Sequence, residues 1–132
     1  MKKLLIIIII IVVVIFIGLI LLLLRGFSGE DDWIKDSRGV YVKHGVPSTT
    51  PVYVNEQQDS ISCAIDLYNQ AKSNSMQFDS QCLGACGNYS VDIVHNPRTI
   101  EDDKSGNQCS DYPRVTPYFI ELDSKGNVVR VA

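Results

Sequence analysis

The sequence lacks the signatures by which most enzymes can be read from their residues. It has no H-E-x-x-H pair for zinc, no G-x-S-x-G elbow, no phosphate-binding loop and no dinucleotide fingerprint. These absences exclude the commonest hydrolase, kinase and dehydrogenase designs, and the expectation is a protein that is not an enzyme. Runs of Lys and Arg are missing too. Lys2 and Lys3 take two of the 12 basic residues, leaving ten against all 15 Asp and Glu, a net charge of −5. A basic footprint for nucleic acid is therefore excluded, as is attraction of the acidic part to an anionic lipid surface. No cysteine stands near residue 25, no twin arginine occurs, and no small residue precedes the apolar run. Lipid attachment, twin-arginine export and pilin-type processing are excluded in turn.

One long apolar run is present. From Leu4 to Leu24 every residue is Leu, Ile, Val or Phe except Gly18. At about 1.5 Å per residue a helix over this run is roughly 31 Å long, matching the ~30 Å hydrocarbon core. The run exceeds the apolar core of a cleavable signal, and Arg25 follows it directly. Cleavage after Ser28 is the lesser alternative to a retained anchor. The sequence thus predicts a transmembrane signal-anchor over 1–25, with the lipid bilayer as partner of residues 4–24. A three-residue tail carrying Lys2 and Lys3 sets the N-terminus in the cytoplasm and the rest of the chain outside the cell membrane. Phe27 and Trp33 are candidates for the headgroup level, and Trp33 is equally a candidate core residue.

After a polar stalk, GFSGEDD at 26–32, residues 33–132 have the length of one small extracytoplasmic domain. GVYVK (39–43) alternates and predicts a strand; HGVPSTTP (44–51) predicts a loop; PVYV (51–54) reads as a further extended piece. Asn55 reads as a helix N-cap with Gln58 in the capping-box position. Over 56–73, Cys63, Leu67, Ala71, Ala64, Tyr68, Ile61 and Ile65 share one arc of an amphipathic helix. SVDIVH (90–95) predicts a strand with Val91, Ile93 and His95 on one face, stopped by Asn96-Pro97. His95 reads there as a packed, hydrogen-bonded residue that Asp92, on the opposite face, cannot orient. Residues 101–114 read as a polar loop with Glu101, Asp102 and Asp103 solvated. YFIELD (118–123) and NVVRVA (127–132) read as a hairpin, with Tyr118, Ile120 and Leu122 toward the core. The fold class is α+β: the N-terminal transmembrane helix, then one amphipathic helix packed on a mostly antiparallel sheet.

Four cysteines, Cys63, Cys82, Cys86 and Cys109, all follow the apolar run. An even count in a small exported domain predicts two disulfides. The favoured schemes pair Cys63 with Cys82 or Cys86 and Cys109 with the other; Cys82 with Cys86 and Cys63 with Cys109 is the third. Zinc competes, through the C-x3-C pair with His44 or His95. So does thiol chemistry: Cys82, Cys86 and His95 on a single-span anchor are similar to the copper-handling Sco family. That family's longer thioredoxin-like fold, with several helices, is not matched here, and His95 follows the cysteines too closely. Asn88-Tyr89-Ser90 fits an N-glycosylation acceptor, a pattern common by chance.

WIKDSRGVYVKHG, SQCLGACGNYSVDIVHNPR, NQCSDY and FIELDSKGNVVRV together resemble an uncharacterised family of small, single-pass, membrane-anchored proteins, apparently archaeal, with four cysteines. The resemblance spans most of residues 33–131. It implies a shared domain with the same cysteine pattern and no particular activity. The functional expectation is a membrane-anchored extracytoplasmic binding or envelope-structural module stabilised by disulfides, with a protein or envelope partner and no cofactor. A membrane-tethered thiol-redox or metal-handling protein using Cys82, Cys86 and His95 is the alternative.

Overall fold

The computed structural model describes residues 2–26 and 31–132, which fall into two units, 1–31 and 32–132. Phe27 and Ser28, and the stalk between residues 26 and 31, lie outside the described residues. The first unit is one helix, α1 (Lys2–Gly26). Its described side chains are Ile6 and those of 8–22, and the apolar ones are 41–69% exposed on every face of the helix. Among the described residues no helix is long and apolar enough to cross a membrane.

The second unit is α+β and mostly antiparallel, as the sequence predicts. A two-stranded hairpin, β1 (Asp32–Lys35) and β2 (Tyr41–His44), precedes helix α2 (Val52–Ser73). A four-stranded sheet follows, in the order β3 (Gln81–Cys86), β4 (Tyr89–Ile93), β5 (Tyr118–Leu122), β6 (Val128–Val131). β3–β4 and β5–β6 are antiparallel, while β4–β5 is parallel. A parallel pair needs a long crossover. Residues 94–117 supply it, with 3₁₀ turns at Ile100–Asp103 and Ser105–Asn107. One face of the sheet packs on α2 through Ala64, Tyr68, Cys86, Tyr89, Val91, Ile93, Ile120 and Leu122. The crossover lies over the other face, and β4 is buried along its whole length.

Several expectations need correction. Helix α2 starts at Val52, not 56, and its N-cap is Pro51 without a side-chain cap. The proline is extended (φ −60°, ψ 152°), and its carbonyl accepts the Val54 and Asn55 N–H groups. PVYV is thus the first turn of the helix: complete burial of Val54 outweighs the weak helix preference of valine. Ala64 and Tyr68 are buried as expected, but Ile65, expected on the same arc, is 37% exposed, and the buried stripe also takes in Val54, Gln57 and Ser60. Gln57 joins α2 to the first hairpin, its Oε1 accepting the Tyr41 N–H (2.8 Å) and its Nε2 donating to the Gly39 carbonyl (3.0 Å). Trp33 is a core residue, and its indole N–H donates to the Thr49 carbonyl at 3.1 Å. Tyr118 is 47% exposed, whereas Ile120 and Leu122 are fully buried.

Candidate functional site

QCLGAC has no β-branched residue, yet it forms strand β3. Its partner β4 and the sulfur bridges decide the matter, not local propensity. In the ladder Cys82 stands opposite Asp92 and Gly84 opposite Val91, so Leu83 is an extra residue. Gly84 makes this bulge with φ +141°, a conformation that glycine alone adopts readily. An extra residue inverts the alternation of faces. Cys82 and Cys86, four apart, would share a face in a regular strand; here Cys82 sides with Asp92 and Cys86 with Tyr89. Cys86 therefore meets Cys63 on α2, with Cα atoms 5.9 Å apart. Cys82 meets Cys109 in the crossover, at 4.7 Å. The two bridges tie the helix and the crossover to opposite faces of one edge strand. This is one of the two favoured pairing schemes.

Cys82, Cys86 and His95 are not brought together. Among the described residues no cysteine is free. The ligand atoms of Cys82, Cys109 and Asp92 lie within 4.8 Å of one another, but the two sulfurs are bonded and offer no thiolate to a metal. His95 lies beyond the end of β4 and not on its apolar face: its side chain is 38% exposed. Its Nδ1 lies 3.0 Å from Asp102 Oδ1 and its Nε2 lies 2.9 Å from Asp79 Oδ1. The Asp102 hydrogen bond, ahead of the burial that opposes it, raises the pKa of His95.

Asp102 is buried, against the solvated loop expected of residues 101–103. It accepts N–H groups from Thr99 (2.7 Å) and His95 (3.0 Å). Burial opposes its charge, but these donors outweigh it and hold the carboxyl well below the usual range. Its neighbours are paired outward, Glu101 with Lys104 and Asp103 with Arg98.

Beneath the crossover lies a second acidic pair, Asp92 and Glu121, opposite each other on β4 and β5. Glu121 is bound by Arg98 and by Arg130, the latter at 2.9 and 3.0 Å. Among the described residues Asp92 accepts only the Cys109 N–H, at 2.9 Å. Burial first, and the charge of Glu121, push its carboxyl up to about 6. The adjoining cavity is about 60 Å³, room for a few waters.

A separate cleft of about 200 Å³ lies at the junction of the first hairpin, α2 and the sheet. Four of the six tyrosines line it: Tyr41 from β2, Tyr53 from the first turn of α2, Tyr89 from β4 and Tyr118 from β5. Their rings are paired, Tyr41 with Tyr53 (centroids 5.0 Å apart) and Tyr89 with Tyr118 (5.1 Å). Tyr89 is buried, and burial raises its pKa; Tyr53 and Tyr118 are 48% and 47% exposed. Lys35 and Glu56 add one charge of each sign. Asn88, the glycosylation candidate, sits exposed at the β3–β4 turn beside the cleft, while the Ser90 of its motif is buried against Thr116. An adjoining depression of about 310 Å³ shares Glu56, Asn88 and Tyr89 and adds Asp59 and Ser60.

No protein-family model, curated protein or solved structure matches the chain. The cleft was not among the expectations drawn from the sequence. Its tyrosines lie at 41, 53, 89 and 118, and only their share of the chain's aromatics hints at a common use.

Proposed function

We propose that this protein is a membrane-tethered module that works by binding and not by catalysis. In this reading α1 spans the bilayer through residues 4–24, with Lys2 and Lys3 on the cytoplasmic side and the α+β domain outside the cell membrane. A helix apolar on every face suits lipid, where its side chains need no partner and its backbone is satisfied internally. The observation that carries the reading is the pair of disulfides, Cys63–Cys86 and Cys82–Cys109. Such bridges belong to an oxidising compartment, and they stabilise a domain with a small core. With its cysteines bridged, the domain offers no sulfur nucleophile. What it offers is the tyrosine cleft.

The test is protease applied to intact cells. Residues 32–132 are digested before lysis if the domain is outside. Full protection until lysis overturns the placement.

A further inference from the structure

We propose that the tyrosine-lined cleft binds a neutral saccharide. The inference rests on the binding reading above and names its ligand class, and elimination among ligand chemistries leads to it. A quaternary or primary ammonium ligand would want open aromatic faces and net negative charge. Here Lys35 Nζ already stands 5.2 Å from the Tyr41 ring centroid and occupies that face. An anion would meet Glu56 with only Lys35 to balance it. A purely apolar ligand would bury Glu56, Asn88 and the hydroxyls of Tyr53 and Tyr118 without partners, whereas Tyr89 already bonds Gln57, at a cost for each buried polar group.

A pyranose meets all three conditions. It is uncharged, its axial C–H groups make a flat apolar patch for a ring face, and its hydroxyls radiate at the edge as donors and acceptors. The half-exposed rings of Tyr53 and Tyr118 offer stacking surface at little entropic cost, since a tyrosine orders only two torsions. Glu56 and Asn88 are exposed, and among the described residues their side chains make no hydrogen bond. Gln57 is different: both ends of its amide are engaged by Tyr41 and Gly39, so it braces the wall and leaves recognition to its neighbours. The adjoining depression continues past Glu56 and Asn88 to Asp59, which gives room for a second ring and favours a disaccharide or a chain end.

The experiment uses the full chain in a polyoxyethylene detergent, because maltoside or phosphocholine headgroups would themselves probe the cleft. Tyrosine resonances are followed while cellobiose, chitobiose, mannobiose and tetramethylammonium are added in separate titrations. At least one disaccharide shifts Tyr53 and Tyr118, and Tyr53→Ala or Tyr118→Ala weakens its binding about tenfold, the loss expected for one aromatic contact. Tyr53→Phe keeps the ring and retains most of the affinity, which separates lost stacking from a misfolded cleft. The proposal is overturned if no disaccharide moves these resonances, if the alanine variants bind as tightly as the parent, or if tetramethylammonium alone perturbs them. Protease accessibility reads location and these titrations read ligand class, so either can fail without the other.

Discussion

Asp92→Asn is the substitution whose outcome follows most directly from the structure. Asp92 is 8% exposed and accepts one N–H, and among the described residues it forms no ion pair; Arg98 and Arg130 pair with Glu121, and the charge of Arg98 offsets only part of the burial cost at Asp92. Its carboxyl is raised from 3.8 to about 6. For an acid this sign means that the folded state holds the proton more tightly than the unfolded chain. Stability therefore falls as pH rises from near 3.8 toward 6, and is level with respect to this group above that window. A shift of about two units corresponds to about 3 kcal/mol at neutral pH. The amide keeps the oxygen that accepts the Cys109 N–H and removes the charge. Whatever fixed cost its NH₂ group brings does not titrate, so the difference between two pH values isolates the charge. Denaturant unfolding of parent and variant, at about pH 4 and about pH 7, gives that difference. The variant gains about 2 kcal/mol relative to the parent between the two conditions, because at about pH 4 the carboxyl of the unfolded chain is already more than half ionised. Equal pH dependence in both proteins, or a variant that loses ground at neutral pH, refutes a buried and unpaired Asp92 charge.

Removing either bridge, as Cys63→Ala with Cys86→Ala or Cys82→Ala with Cys109→Ala, releases a loop of 23 or 27 residues of separation. Each pair costs about 3.5 kcal/mol by loop entropy, read as a lower denaturant midpoint, and a loss below about 1 kcal/mol contradicts the clamp. Gly39→Ala puts a Cβ into the Val131 carbonyl oxygen at φ +84°, so the melting temperature falls, by roughly 2 kcal/mol or more in stability; an unchanged melting temperature refutes the close approach. His95 has a raised pKa, so its contribution is fully present below 6.5 and fades as pH rises through the folded value. His95→Gln accordingly destabilises more at about pH 5.5 than at about pH 8.5, and a deficit of equal size at both counts against the link to Asp79 and Asp102.

Local pattern was readable wherever one residue type repeats with a period. The body of α2 follows from apolar spacing, and the β5–β6 hairpin from two alternating runs around Gly126. Its start at Val52 was not, since Pro51 and a buried Val54 overrule a good capping sequence four residues on. β3 was hidden because Gly, Ala and Cys carry no strand preference, and its identity comes from pairing with β4. Two alternative partners for Cys63 remained in the sequence; the Leu83 bulge decides between them by turning Cys86 toward α2. Asp102 reads as one acid among three, and only the folded 95–103 turn shows that Thr99 and His95 enclose it. The parallel β4–β5 pairing and the cleft depend on contacts between distant segments, which no short window contains.

The central claim is a domain clamped by two specific bridges in an oxidising setting. The most direct measurement is a peptide map of the full chain, extracted from membranes under alkylating conditions without reductant. The account predicts no alkylated cysteine before reduction and four after it, with linked peptides joining Cys63 to Cys86 and Cys82 to Cys109. Alkylation of any of the four without reductant, or a peptide linking Cys82 to Cys86, contradicts it.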